Sequence, residues 1–108
     1  MFNEKLLQGN LELILLSILE EGEMYGLEII TEANAHTKGF FDFKEGSLYP
    51  ALHRMTRTGW LEAEHQPSDK GGPRRRYYRL TDAGRRVLER KRQEWSAFNR
   101  AVQALQNR

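Results

Sequence analysis

The chain contains no cysteine, so neither a disulfide framework nor a thiolate metal site is open to it, a composition that suits a reducing compartment such as the cytoplasm. Its histidines, His36, His53 and His65, do not stand at metal-ligand spacing, and no cofactor is expected. Long apolar runs are lacking. The stretch Leu11 to Leu19 is interrupted by Glu12 and Ser17 and is too short to span a bilayer. At the start of the chain Glu4 and Lys5 break any apolar segment, and no small-residue cleavage site follows, so neither a signal peptide nor a membrane partner is expected. Glycine is present, but Gly71-Gly72 joins two extended segments instead of opening a helix, which excludes a phosphate-cradling loop. Ser17, Ser47, Ser68 and Ser96 have no nucleophile context, and Glu20-Glu21-Gly22-Glu23 reads as a solvated helix end. An enzyme is therefore not expected.

What is present is polarised charge. Residues 1–50 carry 3 basic and 9 acidic side chains, whereas residues 51–108 carry 14 basic and 6 acidic ones. The net charge runs from −6 to +8 between the two parts, which points to a polyanion bound by the second. With 108 residues, 39% of them apolar and 30% charged, the chain forms one globular domain with a modest core that a second chain can complete.

Hydrophobic periodicity predicts a helix over 5–20, with Leu7, Leu11, Ile14, Leu15, Ile18 and Leu19 on one side and Leu13 and Leu16 on the other. A helix apolar on both sides is covered on both sides, here by its own domain and by another subunit. A second helix is predicted over 24–36, its apolar face made by Tyr25, Ile29, Ile30 and Ala33, with Glu28 and Glu32 outside. Phe40 to Phe43 read as a short extended piece. A third helix is predicted over 45–58, closed by Gly59, with Pro50 within its first turns, where a missing N–H does little harm. The period then shortens to two. Trp60 to His65 and Arg75 to Leu80 are predicted strands joined by a Pro- and Gly-rich loop over 66–74. Thr81 caps a final helix over 82–105, about 36 Å long.

This order, three helices, a two-stranded hairpin and a last helix, describes a mainly α fold with a small β-hairpin: a winged helix-turn-helix. Residues 1–81 would be the winged-helix unit and 82–108 a dimerisation helix packed with it as one structural unit. Leu48, Leu52 and Met55 turn one side of the third helix to the core. Pro50, His53, Arg54 and Arg57 then face out with Gly46, flanked by Ser47 and Tyr49, and this face lacks an acidic residue. Arginine grips guanine O6 and N7, and hydroxyls reach phosphates. In the wing, Lys70, Arg74, Arg75 and Arg76 are candidates for phosphate or minor-groove contacts. Pairing with Glu62, Glu64 and Asp69 cannot absorb three consecutive arginines, since strand neighbours face opposite sides. In the last helix, Leu88, Trp95 and Val102 recur every seven residues, as do Lys91, Phe98 and Leu105. Apart from Lys91, this is a seam for a partner helix, and with Leu11 and Leu15 it makes the expected homodimer interface. The alternative is a winged-helix protein-interaction module that does not bind DNA.

Three segments, in order, resemble a known family. Leu11 to Leu19 followed by Met24-Tyr25-Gly26-Leu27-Glu28-Ile29 resembles the opening of PadR-family regulators. Gly46-Ser47-Leu48-Tyr49-Pro50-Ala51-Leu52-His53-Arg54-Met55 resembles their recognition helix. Gly72 to Gly84 resembles their wing and strand motif. Thr56 and Trp60 depart from the residues common at those places. The resemblance implies a dimeric repressor of the short, single-C-terminal-helix type that binds double-stranded DNA at a pseudo-palindromic operator. It also implies an aromatic small-molecule effector, with Trp95 and Phe98 as candidate effector-binding residues.

Overall fold

The computed structural model describes residues 4–68 and 71–108. Its elements are α1 (Glu4–Leu19), β1 (Met24–Tyr25), α2 (Gly26–His36), α3 (Glu45–Thr58), β2 (Leu61–Gln66), β3 (Arg75–Leu80) and α4 (Asp82–Gln106). The three strands form one antiparallel sheet in the order β1-β3-β2. The expected two-stranded hairpin is thus a three-stranded sheet. Met24 and Tyr25, expected to open the second helix, instead pair with Tyr78 and Tyr77 of β3. The reason is local. Gly22, at φ 148°, turns the chain out of α1 into an extended course beside β3, and α2 starts only at Gly26. The Phe40–Phe43 piece is not a strand. It is irregular, held by the Phe41 N–H donating to Thr37 Oγ1 at 3.0 Å, with Phe43 buried and stacked on Phe41.

The core lies where α1, α2, α3 and the sheet converge. Leu15, Leu16, Ile29, Leu48, Leu52 and Met55 are completely or almost completely withdrawn from solvent, as are Leu61, Tyr78 and Leu88. Leu16, on the predicted opposite side of α1, is as buried as Leu15, while Leu13 is partly buried. Tyr78 and Leu80 point inward from β3 and Arg75, Tyr77 and Arg79 outward, the alternation a one-sided sheet imposes.

Gly59 ends α3 in the left-handed conformation at φ 91°. This lets the Trp60 N–H return to the Met55 carbonyl at 3.0 Å and delivers the chain into β2. Pro50 is the sixth residue of α3, not part of its first turn, so it withholds an N–H from the Gly46 carbonyl four residues back. Both residues are exposed, and water is available to that carbonyl. Thr81 caps α4, its Oγ1 accepting from Gly84 N at 3.0 Å. Gly84, Val87 and Leu88 in the first turns of α4 are buried, Lys91 and Arg92 pair with α1, and the chain, with this helix of 25 residues, has extents of 58 × 30 × 21 Å. No helix among the described residues is long and apolar enough to cross a membrane.

Candidate nucleic-acid interface

Helix α3 turns Leu48, Ala51, Leu52 and Met55 inward. Ser47, Pro50, His53, Arg54 and Arg57 are exposed, on the side opposite the core. Tyr49 is half-buried on the flank, and Glu45 stands beside it in the first turn, so the acid-free surface begins at Gly46. Burial, with smaller contributions from Glu45 and Tyr78, holds the Tyr49 hydroxyl above the ordinary tyrosine pKa, so it stays a neutral donor at physiological pH.

Tyr49 also explains how α3 is seated. Its ring lies across the first residue of α2: a Cβ built on Gly26 would fall 2.4 Å from Tyr49 Oη and 2.7 Å from Cζ. Glycine is what allows the two helices to approach there. The preceding residue, Tyr25, is the N-cap of α2, and its N–H donates to Glu28 Oε1 at 3.1 Å. Glu28, expected to point out to solvent, is therefore half-buried and satisfies one of the free amides of the helix start.

The wing arginines occupy three different settings. Arg74 is exposed, and its Nη2 donates to the His65 carbonyl at 2.9 Å across the hairpin. Arg75 is half-buried, its guanidinium 4.3 Å from the centre of the Tyr25 ring. Arg76, on the opposite side of the strand, is exposed and lies 5.5 Å from the Tyr78 ring. Lys70, with Asp69, lies outside the described residues. The carboxylates of β2 are taken instead by Arg79. It pairs with Glu62 at 2.9 Å and lies 3.9 Å from both Glu23 and Glu64. Among the described residues, none of Arg54, Arg57, Arg74, Arg75 and Arg76 forms an ion pair. Five cations without carboxylate partners among the described residues, on the helix and on the hairpin, suit a polyanion.

Helix α4 carries a second kind of surface. Trp95, Phe98 and Leu105 are 51%, 69% and 62% exposed, a density of bare apolar side chains that a solvated helix does not need. Val102 is partly covered. Leu11, Leu15 and Leu88, expected at the same seam, are enclosed by the protomer's own core, and Leu15 and Leu88 have essentially no surface left to offer a second chain. Lys91, the exception in that repeat, lines a hollow with Trp95 and Phe98 while its charged end is engaged within the chain. Its Nζ lies 3.4 Å from Glu12 Oε1 and 5.8 Å from the Trp60 ring, which ties α4 to α1 and to the start of the wing. At the next position, Arg92 makes a two-pronged pair with Glu20, one arm at 3.0 Å. The hydrogen bonds from Arg92 lower the Glu20 pKa below the usual glutamate range, and Glu20 raises that of Arg92.

Beside these clamps, α1, α2 and α4 enclose a mostly apolar groove of about 730 Å³, lined among others by Leu13, Ile14, Ile18, His36, Phe41 and Trp95. A smaller hollow of about 360 Å³ runs from Trp95 to Phe98.

Residues 15–90 match the PadR-like family of transcriptional regulators. A transcriptional regulator of Mycobacterium tuberculosis is 34% identical over 82 residues, which cover 76% of this chain and 72% of that one. A PadR-like transcriptional regulator of Bacillus cereus, known from a crystal structure, is 39% identical, covering 94% of this chain and 95% of that one, with a TM-score of 0.81. A transcriptional regulator from Clostridium thermocellum superposes with a TM-score of 0.82 at 31% identity, covering 91% and 94% of the two chains. With its winged-helix architecture and its basic helix and hairpin, the chain belongs to the PadR-like family of DNA-binding transcriptional regulators.

Proposed function

We propose that this regulator is a repressor that binds a pseudo-palindromic operator as a homodimer, with residues 1–81 as the DNA-reading unit and α4 as the dimerisation helix. The carrying observation is the exposed, acid-free surface of α3, whose arginines have no carboxylate partner among the described residues, next to a wing whose Arg74, Arg75 and Arg76 have none among them either. Arg54 and Arg57 read base edges in the major groove, and Ser47, Tyr49, Pro50 and His53 fix the register of the helix against phosphates and sugar. Lys70, Arg74, Arg75 and Arg76 engage the backbone or a narrow minor groove beside it. The bare side chains Trp95, Phe98 and Leu105, with the half-covered Val102, pack against a second copy, and the two-fold symmetry of the pair makes the operator a repeat of inverted half-sites. Selection of bound duplexes from a random DNA pool tests this. It should yield inverted half-sites with centres about one helical turn, near 34 Å, apart. A pool that emerges unenriched would show that the scaffold serves a protein partner instead.

The groove beside Trp95 supports an effector reading within the same proposal. Its volume falls within the range of small-molecule sites, and an indole with Phe98 nearby stacks on flat aromatic compounds. Such a ligand releases DNA by favouring one spacing of the two recognition helices over the other. In a Trp60→Phe background, Trp95 reports alone. Planar aromatic compounds that quench it should also lower operator affinity. If a broad panel changes neither emission nor affinity, Trp95 is interface packing.

A further inference from the structure

Two consecutive residues at the junction of β1 and α2 touch both halves of the DNA-reading surface. The backbone of Gly26 lies against the Tyr49 ring of α3, and the ring of Tyr25 lies under the Arg75 guanidinium of the wing. Tyr25 is itself held on three sides. Its backbone pairs with Tyr77 in the sheet, its ring meets Tyr77 edge-on at 5.4 Å and 76°, and its N–H is taken by Glu28. A ring fixed in this way is a rigid platform. A guanidinium stacked on it keeps its edge N–H groups free for a phosphate while its long stem loses the freedom that binding would otherwise remove.

We propose that Tyr25 is a positioning residue for DNA recognition: it holds Arg75 at a fixed place relative to the recognition helix, which Gly26 seats one residue later. The contact chain Arg75–Tyr25–Gly26–Tyr49 sets the wing and α3 as one template. Tyr25 need not touch the nucleic acid. The proposal rests on the reading of Arg75 as a DNA contact, and the experiment separates the two.

Operator affinity and its salt dependence are measured for Tyr25→Phe, Tyr25→Leu, Arg75→Ala and the Tyr25→Leu/Arg75→Ala pair. Phenylalanine keeps the π face and should bind as the wild type does. Leucine keeps apolar bulk without a π face and should weaken binding about two- to fivefold. The double variant should bind no more weakly than Arg75→Ala alone, because once Arg75 is absent Tyr25 has nothing left to position. Additive losses overturn the proposal, as does full binding by Tyr25→Leu while Arg75→Ala is impaired. Wild-type binding by Arg75→Ala removes the DNA role of Arg75 and the proposal with it. A second readout needs no variant: in the NMR spectrum of the DNA-free wild type, the δ-methylene protons of Arg75 should resonate upfield, shielded by the Tyr25 ring. Ordinary arginine shifts there overturn the proposal even if Tyr25→Leu does not fold.

Discussion

The carbonyl oxygen of Trp60 rests against the α-carbon of Gly84, so closely that a β-carbon there would lie 2.1 Å from it. The same carbonyl accepts the Thr81 N–H at 3.1 Å, and Thr81 Oγ1 donates to the Gly59 carbonyl at 2.6 Å. The segment that closes α3 and opens the wing is thereby fixed to the first turn of α4. A shift of α4 has a direct mechanical route to α3. Gly84→Ala forces a side chain against backbone, and neither side can rotate away. It should lower stability by about 1–3 kcal/mol despite the better helix propensity of alanine, measured by urea denaturation. An unchanged midpoint would mean that the contact yields.

Gly26→Ala presses on a side chain, the Tyr49 ring, not on backbone. Its stability cost should be the smaller of the two, about 1 kcal/mol, and its effect on operator affinity the larger, since the ring it displaces seats α3. In a Tyr49→Ala background the space exists, so adding Gly26→Ala should cost nothing further. Additive costs in that double-mutant cycle would show that the two residues do not communicate.

The Glu20–Arg92 pair joins the end of α1 to α4. Glu20 has its pKa depressed in the folded state by the Arg92 hydrogen bonds. Its contribution is therefore present above the ordinary glutamate pKa of about 4.3 and is lost as pH falls through the lower folded value. Both side chains are about two-fifths exposed, so solvent limits the pair to about 0–1 kcal/mol. Glu20→Gln should lower the melting temperature slightly at pH 7, and the gap to the wild type should shrink as pH falls below the ordinary glutamate range. A gap that persists at acid pH would assign the loss to packing.

Phe98 is 69% exposed in the protomer, so Phe98→Asp costs an isolated chain little, whereas in the proposed dimer it buries a charge. Sedimentation equilibrium should show the wild type as a dimer and Phe98→Asp dissociating at micromolar concentration with its helical content retained. A variant that remains dimeric would move the interface away from this face of α4.

The elements that carry a period or a cap are legible in the sequence. Helix α3 ends at Gly59, α4 begins after Thr81, and β3 runs from Arg75 to Leu80 as its alternation requires. Strand β1 is not, because two residues have no period and Tyr25 fits the apolar face of a helix as well as a strand edge. The exposed helix residues and wing arginines can be named from spacing alone. The partners that define their settings cannot. Nothing local to Arg75 reveals that Tyr25, fifty positions earlier, lies under it. Nothing local to Lys91 shows that Glu12 and Trp60 engage it, so in the sequence it reads only as the exception in an apolar repeat. The seam of α4 is legible as a repeat, but periodicity does not distinguish a side chain facing its own core, such as Leu88, from one facing outward, such as Phe98.

The central claim is that α3 reads sequence while the wing supplies charge. Affinities of the wild type, Arg54→Ala, Arg57→Ala and the Arg74→Ala/Arg75→Ala pair, each measured on the selected operator and on unrelated DNA across a salt series, test it most directly. Arg54→Ala or Arg57→Ala should cost about 1–3 kcal/mol on the operator and little on unrelated DNA, narrowing the ratio between the two. The wing pair should weaken both DNAs alike and reduce the slope of log K against log salt by about 0.9 for each phosphate no longer neutralised. The account is contradicted if the helix variants leave the ratio unchanged, or if the wing variant binds both DNAs as the wild type does.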